Sequence, residues 1–315
     1  MSETDARPGP SLDDAEHFDV LIVGAGISGI GAAYHLQQQC PDKSFLVLEQ
    51  LDHFGGTWWT HHYPNLRSDS DPYTYAFRFK PWKGGPIAGG AEILSYLGEV
   101  IDENGLARHI RYRHAITRAE WSSEDSRWTL TADRGDAGAG ETSAARGDAG
   151  AGEASTARFS AGFLWMCQGY YRQLKGYTPE WEGMADFKGQ IVHPQEWPSE
   201  GLEVGGKKVV VIGSGATAAT LVPALSDEAD HVTLLQRSPT FYMTSHPKSV
   251  EDDDLSQIHV DEGWVYEIIR RKMLLEQARA GSGSIELSYA SVSCGLALAI
   301  YFACMLQMAP RPVIM

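Results

Sequence analysis

Twice along this 315-residue sequence an apolar run ends in closely spaced glycines and then gives way to a helical pattern. That repeated arrangement constrains the fold more than any other feature. The first copy is FDVLIVGAGISGIGAAYHLQQQ, in which Phe18 to Val23 reads as a buried strand, Gly24, Gly26 and Gly29 mark a turn, and a helical period runs on to Gln39. The second is KKVVVIGSGATAATLVPAL, residues 207–225, with Gly213, Gly215 and Ala218 at the same spacing. Strand, glycine turn and helix in that order open a doubly wound α/β fold. Residues 108–132 and 157–171 alternate in the manner of strands with turn residues between them, which predicts antiparallel strands inserted into the first α/β unit.

The spacing G-x-G-x-x-G between strand and helix lets the backbone approach a pyrophosphate, while the helix N-terminus supplies N–H groups and positive dipole. A further strand, SFLVLE, ends at Glu49, at the separation from Gly24 where a carboxylate can accept the hydroxyls of an adenosine ribose. The strand after the second turn, HVTLLQRSPT, ends without an acid, and Arg237 stands almost level with the Glu49 position of the first unit. A carboxylate repels a 2′-phosphate and a guanidinium binds one in bidentate fashion. The first turn is therefore expected to hold FAD or NAD, and the second NADP. Two dissimilar dinucleotide sites in one chain suit a resident flavin that is reduced by a nicotinamide.

Charge narrows the partners. With 26 Lys and Arg against 41 Asp and Glu the net charge is −15, which repels nucleic acid and anionic lipid. Cys40, Cys167, Cys294 and Cys304 lack any C-x-x-C or redox-pair spacing, so the sequence indicates no zinc site, no disulfide framework and no disulfide-reductase centre, and a cytoplasmic location fits best. The N-terminal residues 1–17 read as an acidic, disordered tail without signal-peptide character. RGDAGAGE occurs at 134–141 and again at 146–153, which predicts a flexible insertion over 133–157. Residues 287–310 carry no charge and are the one stretch long enough for a membrane association; polar and small residues dilute its apolarity.

Between the two turns lies FKGQIVHPQEWP. Phe187, Gly189, His193, Trp197 and Pro198 match F-x-G-x-x-x-H-x-x-x-W-P, and on this motif the chain resembles the Baeyer–Villiger monooxygenases, class B flavoprotein monooxygenases. The stretch FGGTWWTHHYPNLRSDSDPYTYAFRF, with RFKPW, TLVPAL and LQRSPT in the same order, is similar to the ethionamide-activating branch of that family, over approximately residues 17–277. The resemblance implies an FAD domain over 18–172, a linker carrying the fingerprint over 173–206, a partial NADP domain over 207–280 and an atypical apolar tail over 281–315. It further implies FAD contacts from Gly24, Gly26, Ser28, Gly29, Glu49, Gly56, Thr57, Trp58 and Asp69, and a backbone contact from Ile116. NADP(H) contacts are implied for Gly213, Ser214, Gly215, Ala216, Thr217, Ala218, Ala219, Arg237 and Ser238.

In the family the counterpart of Asp69 lies beside flavin and nicotinamide and orients an active-site arginine, which makes Asp69 the candidate catalytic residue; a local helix cap is the alternative. His193 is given a positioning role at the interdomain hinge, although an imidazole could also move a proton. Where the family writes Tyr-Pro-Gly this chain has Tyr63-Pro64-Asn65, and Asn is well suited to a left-handed turn. The implied reaction inserts one oxygen of O2 into a ketone, or oxidises sulfur, through a C4a-peroxyflavin. Family members continue well past the point where this likeness fades, so the expectation is a C-terminally shortened member with an incomplete FAD domain and impaired activity. An N- or S-oxygenating flavoprotein and an inactive nucleotide-binding remnant are the alternatives.

Overall fold

The computed structural model describes residues 15–135, 156–172, 175–238, 240 and 262–281. Most of the duplicated insertion, positions 1–14 and the uncharged stretch at 287–310 lie outside them. In chain order the elements are β1 (Glu16–Val23), α1 (Ile27–Gln39), β2 (Phe45–Leu48), α2 (Thr57–Thr60), α3 (Pro72–Tyr75), α4 (Gly90–Glu103), β3 (Ile110–Arg111), β4 (His114–Ser122), β5 (Arg127–Arg134), β6 (Thr156–Met166), β7 (Lys208–Ile212), α5 (Ala216–Ser226), β8 (His231–Leu235) and α6 (Glu262–Gly281). They fall into two compact units, Met1–His62 with Leu94–Ser199, and Tyr63–Ile93 with Glu200–Met315.

The first unit is built on a six-stranded sheet in the order β3-β2-β1-β6-β5-β4. β1 runs parallel to β2 and β6, and β2 parallel to β3, whereas β4, β5 and β6 are antiparallel neighbours. The antiparallel strands are thus continuous with the parallel ones, through β6. All four residues of β2 are buried, as a strand inside a parallel sheet requires when both faces are covered. Leu21, Leu48, Leu130 and Phe159 meet in the core of the sheet. At one end Arg111 of β3 makes a bidentate ion pair with Glu16 of β1, at 2.5 and 2.6 Å, so the strand opens two residues ahead of Phe18.

Two long helices, α4 and α6, have no counterpart among the elements expected from sequence, nor do the single turns α2 and α3. α4 buries Ile93, Tyr96, Leu97, Val100 and Ile101, one helical face by spacing, and the Glu92 carboxylate accepts from the amide of Gly89 at its start. α6 belongs to the second unit, where Arg270 donates to the carbonyls of Tyr73 and Ala76 at 3.2 Å and Glu267 accepts from Arg78 at 3.0 and 3.2 Å. These contacts fasten α6 to the short α3, whose N-cap is Asp71.

Also in the second unit, β7 and β8 pair in parallel from Lys208↔His231 to Ile212↔Leu235. α5 covers one face with Ala218, Leu221 and Leu225 buried. On this two-stranded sheet Val210, Ile212 and Leu235 remain 59, 56 and 54% exposed.

Leu130 is fully buried at the centre of β5. Leu130→Ala should lower stability by about 2–5 kcal/mol, read as a fall in the urea midpoint, whereas Glu124→Ala in the exposed β4–β5 turn should leave the midpoint in place.

Candidate functional site

A backbone hydrogen bond ties the first glycine turn to the sheet: the Gly24 amide donates to the carbonyl of Leu48, the last residue of β2, at 2.8 Å. Gly24 has φ +101°, a conformation that L side chains rarely adopt. Gly26 caps α1, and its carbonyl accepts from Ile30 at 3.0 Å. The three glycines are glycine for different reasons. A Cβ on Gly29 would collide with the carbonyl oxygen of Gly24, so that residue permits close packing of helix on turn. A Cβ on Gly26 would meet nothing nearer than the Cα of Gly56 at 3.9 Å. Protein packing therefore does not demand glycine at 26, and the space left there, at the N-terminus of a 13-residue helix, is what a pyrophosphate needs.

Glu49 directly follows β2 and is 4% exposed. Its carboxylate accepts from the amide of Ala25, inside the glycine turn, at 2.6 Å, and from the amide of Leu51 at 2.9 Å. Burial pushes the carboxyl above its usual value of 4.5, and the backbone amides pull the other way. The acid is thus tied to the turn itself, with oxygen lone pairs remaining for ribose hydroxyls. These residues fit an adenine dinucleotide.

The second turn repeats the first in detail. Gly213 has φ +116° and donates to the carbonyl of Leu235, the last residue of β8, at 2.9 Å. Gly215 caps α5 with φ −78° and ψ −174°, against −75° and −173° at Gly26, and accepts from Ala219 at 3.0 Å. A Cβ on Gly215 would meet nothing within 4 Å. Ala218 stands where the first turn has Gly29, so α5 cannot approach its turn as closely as α1 does. Register refines one expectation: the residue one past Leu235, level with Glu49, is Gln236, and Arg237 lies one further on, exposed, with Ser238 exposed beside it. Ala216 and Thr217 begin α5. Sequence reading missed two partners of this turn: Thr240, hydrogen-bonded to Ser214, and buried Tyr63, hydrogen-bonded to Thr217. Neither follows a spacing rule, since both come from outside the strand–turn–helix unit.

Of the remaining candidates, Ser28 is exposed on α1, Gly56 approaches Gly26 through its backbone, and Thr57 and Trp58 open the single turn α2, partly buried. Ile116 packs on the sheet core at a bulge of β4. Asn65 has φ +64°, so the Tyr-Pro-Asn turn takes the left-handed form expected of it. In the S-D-S-D run the cap is Asp71, which accepts from the amide of Tyr73 at 3.1 Å, while Asp69 is exposed. That removes capping as the reason for Asp69.

The fingerprint residues form two small local packings. A Cβ on Gly189 would lie 2.6 Å from the ring of Phe187, which accounts for the F-x-G spacing. His193 caps a 3-10 turn over Pro194–Glu196, its Nδ1 accepting from the amide of Gln195 at 3.1 Å. Trp197, partly buried, is extended at ψ 128°, as the residue before Pro198 must be, and the turn stops there. Among the described residues no group of three or more His, Cys, Asp or Glu could hold a metal, and no helix is long and apolar enough to cross a membrane.

The fold and its two turns define a protein with two Rossmann-type dinucleotide units. Residues 22–81 match the model of the NAD(P)-binding Rossmann-like domain, and residues 90–254, just over half of the chain, match that of the flavin-binding monooxygenase-like family. The chain belongs to the flavin-binding monooxygenase-like family. It is 50% identical over 228 residues to the FAD-containing monooxygenase EthA of Mycolicibacterium smegmatis, covering 72% of this chain and 42% of that protein. With EthA of Mycobacterium tuberculosis it is 45% identical over 265 residues, covering 84% of this chain and 50% of the relative. The chain therefore spans about half the length of these relatives. Among solved structures, an oxidized steroid monooxygenase bound to NADP matches with a TM-score of 0.58 at 31% identity, over 71% of this chain and 39% of that one. A cyclohexanone-bound cyclohexanone monooxygenase matches with a TM-score of 0.63 at 25% identity, over 82% and 45%.

Glu49 is expected to have opposite pH signs in folding and in dinucleotide binding. Its value in the folded chain lies above the unfolded one, so its contribution to stability is fully present below pH 4.5 and is lost as pH rises through the folded value. Ribose recognition needs the carboxylate and should weaken as pH falls into that same window. Fluorescence titration with FAD across the window should show this loss in the parent chain, and Glu49→Gln should bind more weakly at neutral pH with the pH dependence flattened.

Proposed function

We propose that this chain binds FAD at the first turn and NADPH at the second, and serves oxygen insertion of the Baeyer–Villiger type. A ketone or a sulfur compound, with O2, is the substrate class. The observation that carries this reading is the near-identity of two turns with different chemistry beside them: a buried acid tied to the first, and Gln236 and exposed Arg237 after the second. We assign the FAD domain to residues 18–172, the fingerprint-bearing linker to 173–206 and the NADP domain to 207–280. The reaction draws on reduced nicotinamide, which with the scattered cysteines supports a cytoplasmic site.

When bound, FAD supplies the redox chemistry, accepting a hydride from NADPH and reacting with O2. The chain's own residues bind and orient. The amides at the start of α1 meet the pyrophosphate of FAD, and Glu49 accepts from its adenosine ribose. The amides at the start of α5 meet that of NADPH, and Arg237, with the Ser238 hydroxyl, takes the 2′-phosphate. Gly56, Thr57, Trp58 and Asp69 complete the flavin contacts, Asp69 as the residue beside the reacting ring, and the backbone at Ile116 meets the adenine. A protein purified yellow that consumes NADPH faster when a ketone or a thioether is added fits this reading; a colourless protein without affinity for either nucleotide sinks it.

Arg237→Ala should weaken NADPH binding roughly tenfold or more, the scale of a lost hydrogen bond to a charged group, and leave NADH binding unchanged. Equal losses for both coenzymes would show that Arg237 does not read the 2′-phosphate.

A further inference from the structure

His193 is anchored on one side by its own turn. Its Nδ1 accepts from the backbone amide of Gln195, so the neutral ring carries its proton on Nε2. Gly176, earlier in the same linker, lies against the part of the ring formed by Nδ1, Cε1 and Nε2. A Cβ there would sit well under 3.0 Å from all three atoms, a separation that real Cβ atoms do not show. Gly176 does not have the positive φ that would by itself call for glycine. The absent side chain is therefore a matter of space for the ring. A second contact fixes the same segments: the side-chain amide of Gln195 donates to the carbonyl of Arg172. The chain ahead of Gly176 and the turn that bears His193 are held together by that bond.

We propose that Gly176 is a positioning residue for His193: it sets the rotamer and the Nε2–H tautomer of the fingerprint imidazole by leaving the space the ring fills. The effect on oxygenation rests on the function proposed above; the effect on the ring does not. Gly176→Ala keeps the backbone conformation and adds one methyl group, which has to push the imidazole off the Gln195 amide. Nothing else within reach of that methyl is nearer than the ring atoms.

The test uses the full chain and four proteins: the parent, Gly176→Ala, His193→Ala and the double variant. Histidine 15N spectra, with His193 assigned by its loss in His193→Ala, should show the Nε2–H form with a hydrogen-bonded, unprotonated Nδ1 in the parent, and mixed tautomers in Gly176→Ala. The thermal midpoint lost in Gly176→Ala should return in the double variant, because removing the ring removes the collision. If Gly176→Ala is too unstable for spectra, that return in the double variant carries the proposal and its failure overturns it. In NADPH oxidation, Gly176→Ala and His193→Ala should each lower kcat/KM by a similar factor, and the double variant by no more than either alone. An unchanged His193 spectrum in Gly176→Ala, or losses that multiply in the double variant, would overturn the proposal. A parent protein that oxidises no NADPH would fail the functional reading alone, leaving spectra and midpoints to decide the role of Gly176.

Discussion

One contact, made twice, organises what this chain can bind: a glycine amide at positive φ donating to the last carbonyl of the neighbouring parallel strand. At Gly24 the acceptor is Leu48, and at Gly213 it is Leu235. The bond fixes where the turn leaves the sheet. The next two residues lead to a glycine cap of nearly the same backbone angles in both copies, and the helix starts there. Strand pairing thus decides the direction in which a row of unbonded helix amides points. Without the bond the turn would still contain glycines, but they would not be held in a geometry suited to a dinucleotide.

The two copies differ in what stands beside the turn. Glu49 is buried and is itself a structural partner of the turn, through the Ala25 amide. Loss of that acid would disturb the glycine backbone as well as the proposed ribose contact. Arg237 lies on the surface, beyond β8, and takes no part in the bond between Gly213 and Leu235 that holds the turn. On the proposed reading the first site is built as one piece with its specificity residue, suited to a group that stays bound. The second, on the same reading, carries its specificity on an exposed side chain, suited to a coenzyme that comes and goes.

Much of this could be read from the residues because glycine spacing reports backbone geometry directly. β1, α1, β7 and α5 follow from it, as does the place of Glu49. The antiparallel strands were visible as alternation, though their merger with the parallel sheet through β6 was not, since strand order depends on pairing between segments far apart in the chain, as between Val23 and Met166. α4 carries a plain helical period at 93, 96, 97, 100 and 101 but no glycine signature to draw the eye. The packing of Gly176 on His193, and the hydrogen bonds from Tyr63 and Thr240 to the second turn, are products of folding with no local pattern. Asp69 illustrates the limit of residue-type arguments: Asp is a natural cap, yet the cap in this run is its neighbour Asp71.

The open face of β7 and β8 bears on how the protein should be handled. Val210, Ile212 and Leu235 form an apolar surface on the folded chain, and Trp121 and Phe163 are likewise 47 and 40% exposed in the first unit. Environment-sensitive dyes that report melting by adsorbing to newly uncovered apolar groups will find such groups before any heating. Their starting fluorescence should be high and the melting step shallow. Intrinsic tryptophan emission or circular dichroism, which do not depend on dye adsorption, are the suitable signals for following this chain.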